Sequence, residues 1–179
     1  MVLSIEERKL FFKNWLKLLS FVNKKLKIID NFGEPDNPVG LDINELMKIR
    51  KKLWENSKLI DEFIETSNLN MEDSKIVKSW NNFIVGKYLV IKELKRYCVF
   101  FDVDKDILYG VVGISSPFSQ TISYFPSLIE TVLIPFNEKI IYDSLIESNN
   151  ISFGPNMKKS FNEKYSEIKK KKGIIVNIE

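Results

Sequence analysis

The chain passes from long segments with helical periodicity to short, almost wholly apolar runs. Near the start, Phe11, Trp15, Leu18, Val22, Leu26 and Ile29 recur at spacings of three and four. That predicts one face of a helix of about 25 residues. Phe12, Leu16, Leu19 and Phe21 widen the face, so burial on more than one side is expected. Ser4-Ile5-Glu6-Glu7 has the form of a capping box. Asp30 to Gly40, rich in glycine, proline and Asx residues, predicts a loop, and Asp42-Ile43-Asn44-Glu45 a second helix start. Leu46, Ile49, Leu53, Ile60 and Phe63/Ile64 then trace an inner face to about Thr66, with Lys48, Arg50, Lys51, Lys52 and Lys58 on the outer face. After a short connection, Ser67 to Asn70, Ile76, Val77, Trp80 and Phe83 mark a third helix from about Met71 to Phe83.

At Gly86 the period changes. Between Lys87 and Tyr97, β-branched and aromatic residues favour a strand over a helix ending near Lys95. The runs Tyr97–Phe101 and Ile107–Ile114 flank an acidic turn, Asp102-Val103-Asp104-Lys105-Asp106. Glu130–Phe136 and Lys139–Asp143 flank Asn137-Glu138 as a second hairpin, with Pro135 expected on an edge or at the turn's shoulder. The first hairpin's two runs are apolar enough to require cover on both faces. Beyond Asn149-Asn150, Ile151–Phe153 suits a short strand. Gly154-Pro155-Asn156 opens a helix with Met157, Phe161, Tyr165 and Ile168 on one side, Lys169–Lys172 in its last turn and Gly173 as its cap. Ile174–Ile178 would return to the sheet as a closing strand. The fold class is therefore α+β: an N-terminal helical layer packed on a small, mainly antiparallel curved sheet or SH3-like barrel, with a C-terminal helix and a closing strand. A single domain is expected over 1–179, helical to residue 85 and β-rich from residue 86.

Composition modifies this picture in three places. With 24 lysines, three arginines and no alanine, the chain carries the codon bias of an AT-rich genome, so lysine number alone says little about nucleic acid. RNA surfaces usually rely on arginine's planar fork. Charge is unevenly spread: residues 1–96 hold 18 basic and 14 acidic side chains, residues 97–154 two against seven, and residues 155–179 seven against three. No apolar run reaches the length of a membrane span, and the amphipathic, charged N-terminus has no small-residue cleavage site. Both predict a cytoplasmic protein with no membrane partner.

Histidine is absent, which removes imidazole general bases, the Ser-His-Asp and Cys-His systems and most zinc sites. Cys98, alone in an apolar run, reads as a structural thiol. Asp102, Asp104 and Asp106 imitate the start of a calcium loop, but Ile107 and Gly113 stand where that loop needs glycine and glutamate. Convergence of Asp102, Glu130 and Asp143 on metal ions is the less favoured, hydrolase or nuclease reading. Gly110-Val111-Val112-Gly113 lies inside a strand pattern and suits close packing rather than phosphate binding.

No catalytic residue, metal ligand or cofactor is assigned. The 115–128 loop supplies the candidate contact residues Ser115, Phe118, Gln120, Tyr124 and Phe125, the aromatics serving either as a lid on the core or as anchors for a protein partner. Lys158, Lys159, Lys169, Lys170, Lys171 and Lys172 form a basic helix face able to contact phosphates. The expectation is a non-enzymatic protein that acts through protein–protein contacts. A regulator or inhibitor from a mobile element of an AT-rich bacterium or phage fits, and nucleic-acid binding through the basic helices is the alternative.

Overall fold

A computed structural model describes residues 1–30, 32, 42–148 and 151–178. The described residues form two compact units, Ile5–Asn81 and Met1–Ser4 together with Asn82–Glu179. Most of the expected 30–40 loop and the Asn149-Asn150 turn lie outside the described residues.

The first unit is helical: α1 (Ile5–Leu26), α2 (Ile43–Glu55), α3 (Lys58–Thr66) and α4 (Met71–Ser79), followed by a 3-10 turn at Trp80–Asn82. Phe11, Trp15, Leu18 and Val22 of α1 are buried, as their spacing predicts, whereas Leu26 is exposed. Around Trp15 gather Phe11, Trp54 and Trp80, with ring centroids 5.8 to 6.1 Å from its own. These are offset or edge-on contacts that add to apolar burial. The end of α1 is held by Asn23, whose amide donates to the Ile29 carbonyl and accepts from its N–H.

The second predicted helix is two helices. At Asn56 the backbone turns to φ −140° and ψ 77°, and its N–H bonds the Leu53 carbonyl. Asn56 and Ser57 are poor helix-interior residues because their side chains compete for backbone hydrogen bonds, and the chain restarts at Lys58. The outer face also differs at one position: Arg50 is buried with Ile49 and Leu53. It lies one residue from Ile49 and four from Leu46, at the margin of the apolar stripe, where an arginine stem packs readily. Asp42 and Asn70 cap α2 and α4, each accepting an N–H of the first turn at 2.8 Å.

The second unit is a six-stranded, mainly antiparallel sheet: β1 (Ile84–Glu93), β2 (Cys98–Asp102), β3 (Ile107–Val112), β4 (Ser127–Phe136), β5 (Lys139–Tyr142) and β6 (Glu147–Ser148). The segment following Gly86 is thus a strand, and both hairpins form where the turn residues placed them. Asn137 and Glu138 both take positive φ, the conformation of a two-residue turn that matches strand twist. Pro135 pairs with Ile140 one step from the turn's closing pair, where its missing N–H points away from β5. The β1–β4 ladder stops at Leu133, so no neighbour on the other side needs that donor either.

Strand β1 pairs with both β2 and β4, so hydrogen bonding runs in a closed circuit, β1–β2–β3–β5–β4–β1, with β6 outside. Only β3–β5 is parallel. A register shift between Val90 and Lys92 marks a bulge as β1 passes from one neighbour to the other, which bends the strand. Inside the circuit lie Tyr88, Val90, Cys98, Phe100, Tyr109, Val111, Ile129, Leu133 and Ile140. The alternate residues Leu89, Ile91, Val99, Phe101 and Leu108 pack under α6 (Pro155–Lys172) through Tyr165 and Ile168. The nearly continuous apolar runs of the first hairpin therefore do carry cover on both faces.

Two C-terminal expectations change. Ile151–Phe153 is not a strand; the added strand is β6, two residues long, pairing with Ile129 and Glu130 of β4. The closing strand shrinks to one parallel bridge, Tyr109 to Ile175, held by Gly110 N–H to the Ile175 carbonyl at 2.8 Å and Ile175 N–H to the Leu108 carbonyl at 2.9 Å. Close packing explains two glycines. A Cβ on Gly110 would lie 2.8 Å from the Tyr97 ring, and one on Gly113 would lie 2.5 Å from the Ser116 carbonyl oxygen. Gly113 also carries the chain's first residues, which bridge to it through Val2. Among the described residues no helix is long and apolar enough to cross a membrane.

Candidate binding site

The 115–128 segment is ordered by internal packing. It holds a four-residue helix, α5 (Phe118–Thr121), and a cis Phe125-Pro126 bond before β4 begins. Phe118 lies within the circuit's core, with its ring 5.0 Å from Phe100 and 5.4 Å from Tyr142, and Phe125 packs partly buried against the same core. Tyr124 is exposed, its hydroxyl donating to the Ile151 carbonyl, and Ser115 and Gln120 are exposed. Of the three aromatic side chains, then, one is a core plug, one is a partial lid and one faces solvent. Glu93 fixes the start of α5 by accepting the N–H groups of Phe118 and Ser119 at 3.2 and 3.1 Å. It also lies 3.8 Å from the N-terminal ammonium. Burial would raise its carboxyl, but the Ser119 and Phe118 hydrogen bonds and the ammonium outweigh it and hold it below the ordinary range.

Asp102, Asp106 and Glu130 are engaged locally. Asp102 accepts from the Lys105 N–H and pairs with its ammonium at 3.2 Å, while Asp106 pairs with Lys164 at 3.0 Å. Glu130 is bound to Lys87 at 2.7 Å, and Asp143 is fully buried just after β5. No group of three Asp, Glu or Cys side chains among the described residues is placed to hold a metal ion, so Asp102, Glu130 and Asp143 do not converge. Cys98 sits inside the circuit, where burial, with the nearby Glu93 charge adding to it, pushes the thiol up to about 12. It remains protonated and donates to the Lys92 carbonyl.

The basic helix α6 spends several of its charges on itself and on the sheet. Lys169 lies over the Tyr165 ring, Lys171 pairs with Glu167 at 2.9 Å, and Lys159 stands 3.9 Å from Glu163. Lys172 donates to the Asp106 carbonyl at 3.1 Å. Lys158 is half-buried and Lys170 exposed.

A different feature emerges in the helical unit. Lys17, Ser20, Phe21 and Lys24 recur at three- and four-residue spacing along one face of α1. Opposite them stand Phe63 of α3 and Ser67, Asn68 and Leu69 of the α3–α4 connection, enclosing an open groove of about 290 Å³. Its apolar floor centres on Phe21 and Phe63, whose rings are 5.5 Å apart. Lys25 stands over the Phe21 ring, 5.8 Å from its centroid, and pairs with Glu62. Ser20 is 2% exposed, and its Oγ has no hydrogen-bond partner among the described residues. Periodicity alone treats Phe21 as extra breadth on α1 and Ser67–Asn70 as a bare connection. The legible signal was the pair of lysines seven residues apart with an aromatic residue between them.

Comparison with protein-family models, curated proteins and solved structures yields no match.

Proposed function

We propose that the protein is a non-enzymatic binding module that works through protein–protein contact. The observation that supports this best is the α1/α3 groove: an open trough with an aromatic floor, edged by cations. Interface centres typically combine such an aromatic pocket with a polar rim. The carboxylates of Asp102, Glu130 and Asp106 are each held in a local ion pair. A regulator or inhibitor encoded by a mobile element of an AT-rich bacterium or phage remains the setting that composition favours. Nucleic-acid binding by α6 has weaker support, because Lys169, Lys171 and Lys172 already have partners within the sheet unit.

The test is affinity capture by the full chain from native lysate, read by quantitative mass spectrometry, alongside its mass in solution. A protein recovered at near-equal stoichiometry is expected. A monodisperse monomer that retains nothing, yet retards a 20-nucleotide RNA with steep salt dependence, would replace this reading with the α6 one.

A further inference from the structure

The groove's own chemistry constrains what fills it, and this step rests on the binding-module reading. Its volume of about 290 Å³ falls at the bottom of the range for small-molecule sites, which are also more enclosed. An open trough of that size suits one or two side chains of a segment lying across it. The floor, formed by Phe21, Phe63 and Leu69, asks for an apolar side chain. The rim asks for negative charge. Lys24 has no hydrogen-bonded or ion-paired acid among the described residues, and Lys17 acts on the Asp73 carboxylate only at longer range, in contrast to Lys13 and Lys25, which are bound to Asp73 and Glu62. Seven residues of helix separate the two rim cations by about 10.5 Å along the axis. In an extended segment that distance corresponds to acids about three residues apart.

We infer that the α1/α3 groove receives an acidic segment of a protein partner. A leucine or aromatic side chain enters between Phe21 and Phe63, and carboxylates on either side meet Lys17 and Lys24. Helical and extended segments both present an apolar residue between two acids, and the spacing recovered by experiment distinguishes them: about three residues if extended, about seven if helical.

The probe is a displayed library of random dodecapeptides selected on the immobilised full chain, followed by fluorescence anisotropy of the enriched peptides. Enrichment of a leucine or aromatic residue bracketed by Asp or Glu is expected. The double variant Lys17→Glu/Lys24→Glu is expected to weaken those peptides by about tenfold or more. Circular dichroism of the variant confirms the helices. Peptides without acids, peptides that bind the charge-reversed chain equally well, or no enrichment at all would each overturn the inference. If lysate capture still recovers a partner that the charge-reversed chain also holds, only the groove assignment fails and the binding-module reading stands.

Discussion

Asp73 ties α4 to α1 in the helical unit. It lies in the first turn of α4, 3% exposed, where its carboxylate meets Lys13 at 2.5 Å and Asn14 Nδ2 at 2.9 Å, both on α1. Burial pushes its carboxyl upward, but the Lys13 and Asn14 hydrogen bonds outweigh that and the group titrates below its ordinary 3.8. A carboxyl depressed by folding contributes stability that is complete above its unfolded value and is lost as pH falls through the folded one. Asp73→Asn should therefore lose about 1.5–3 kcal/mol at neutral pH, the range for a buried hydrogen bond to a charged group. The difference from wild type should narrow below pH 3.8. Urea unfolding followed by circular dichroism at pH 7 and pH 3 measures both; a gap that stays constant across that range would refute the assignment.

At the scale of elements, α5 is too short to hold itself in place. Four residues make one turn, below the length at which helices persist unaided, and the Glu93 carboxylate supplies acceptors for two of its free N–H groups. Glu93→Gln keeps one amide oxygen but loses the charge and the second acceptor. It is expected to destabilise the sheet unit by about 1 kcal/mol and to raise hydrogen exchange at Phe118 and Ser119 specifically. Uniform exchange across the sheet would argue against a local clamp. This clamp was not legible in the sequence, because Glu93 and Phe118 meet only after the strands have paired. What was legible followed from local rules: the face of α1, the hairpin turns at Asp102–Asp106 and Asn137-Glu138, and the Gly154 and Gly173 ends of α6. The departures have physical reasons of their own. Period cannot reveal the break at Asn56, since residues on both sides of it keep the same apolar phase. Ile174–Ile178 has the composition of a strand, yet β3 offers it only the short free edge opposite β2 before β5 takes over. In the groove, the lysine spacing on α1 was visible, but Phe63 and Leu69 arrive through tertiary packing.

For the molecule as a whole, the two units differ in how their contacts are ordered along the chain. The helical unit's backbone hydrogen bonds are local to its helices, although its side chains also join α1 to α4 and Trp80 some sixty residues on, whereas the sheet's largest ladder makes its backbone bonds between β1 and a β4 some forty residues later. Loop closure makes such distant pairing slow. During refolding from urea, the helical unit is expected to reach its native packing first and the strand circuit to close afterwards.

Nature has placed a separate witness in each unit. Every tryptophan, Trp15, Trp54 and Trp80, belongs to the helical unit, while the sole thiol, Cys98, is sealed within the strands. Indole emission thus watches one unit, and the timing of thiol alkylation watches the other, with no label introduced and no residue replaced. In a single stopped-flow and quench experiment, emission should recover while Cys98 is still reactive. Simultaneous recovery would mean that the two units acquire their interiors in one step.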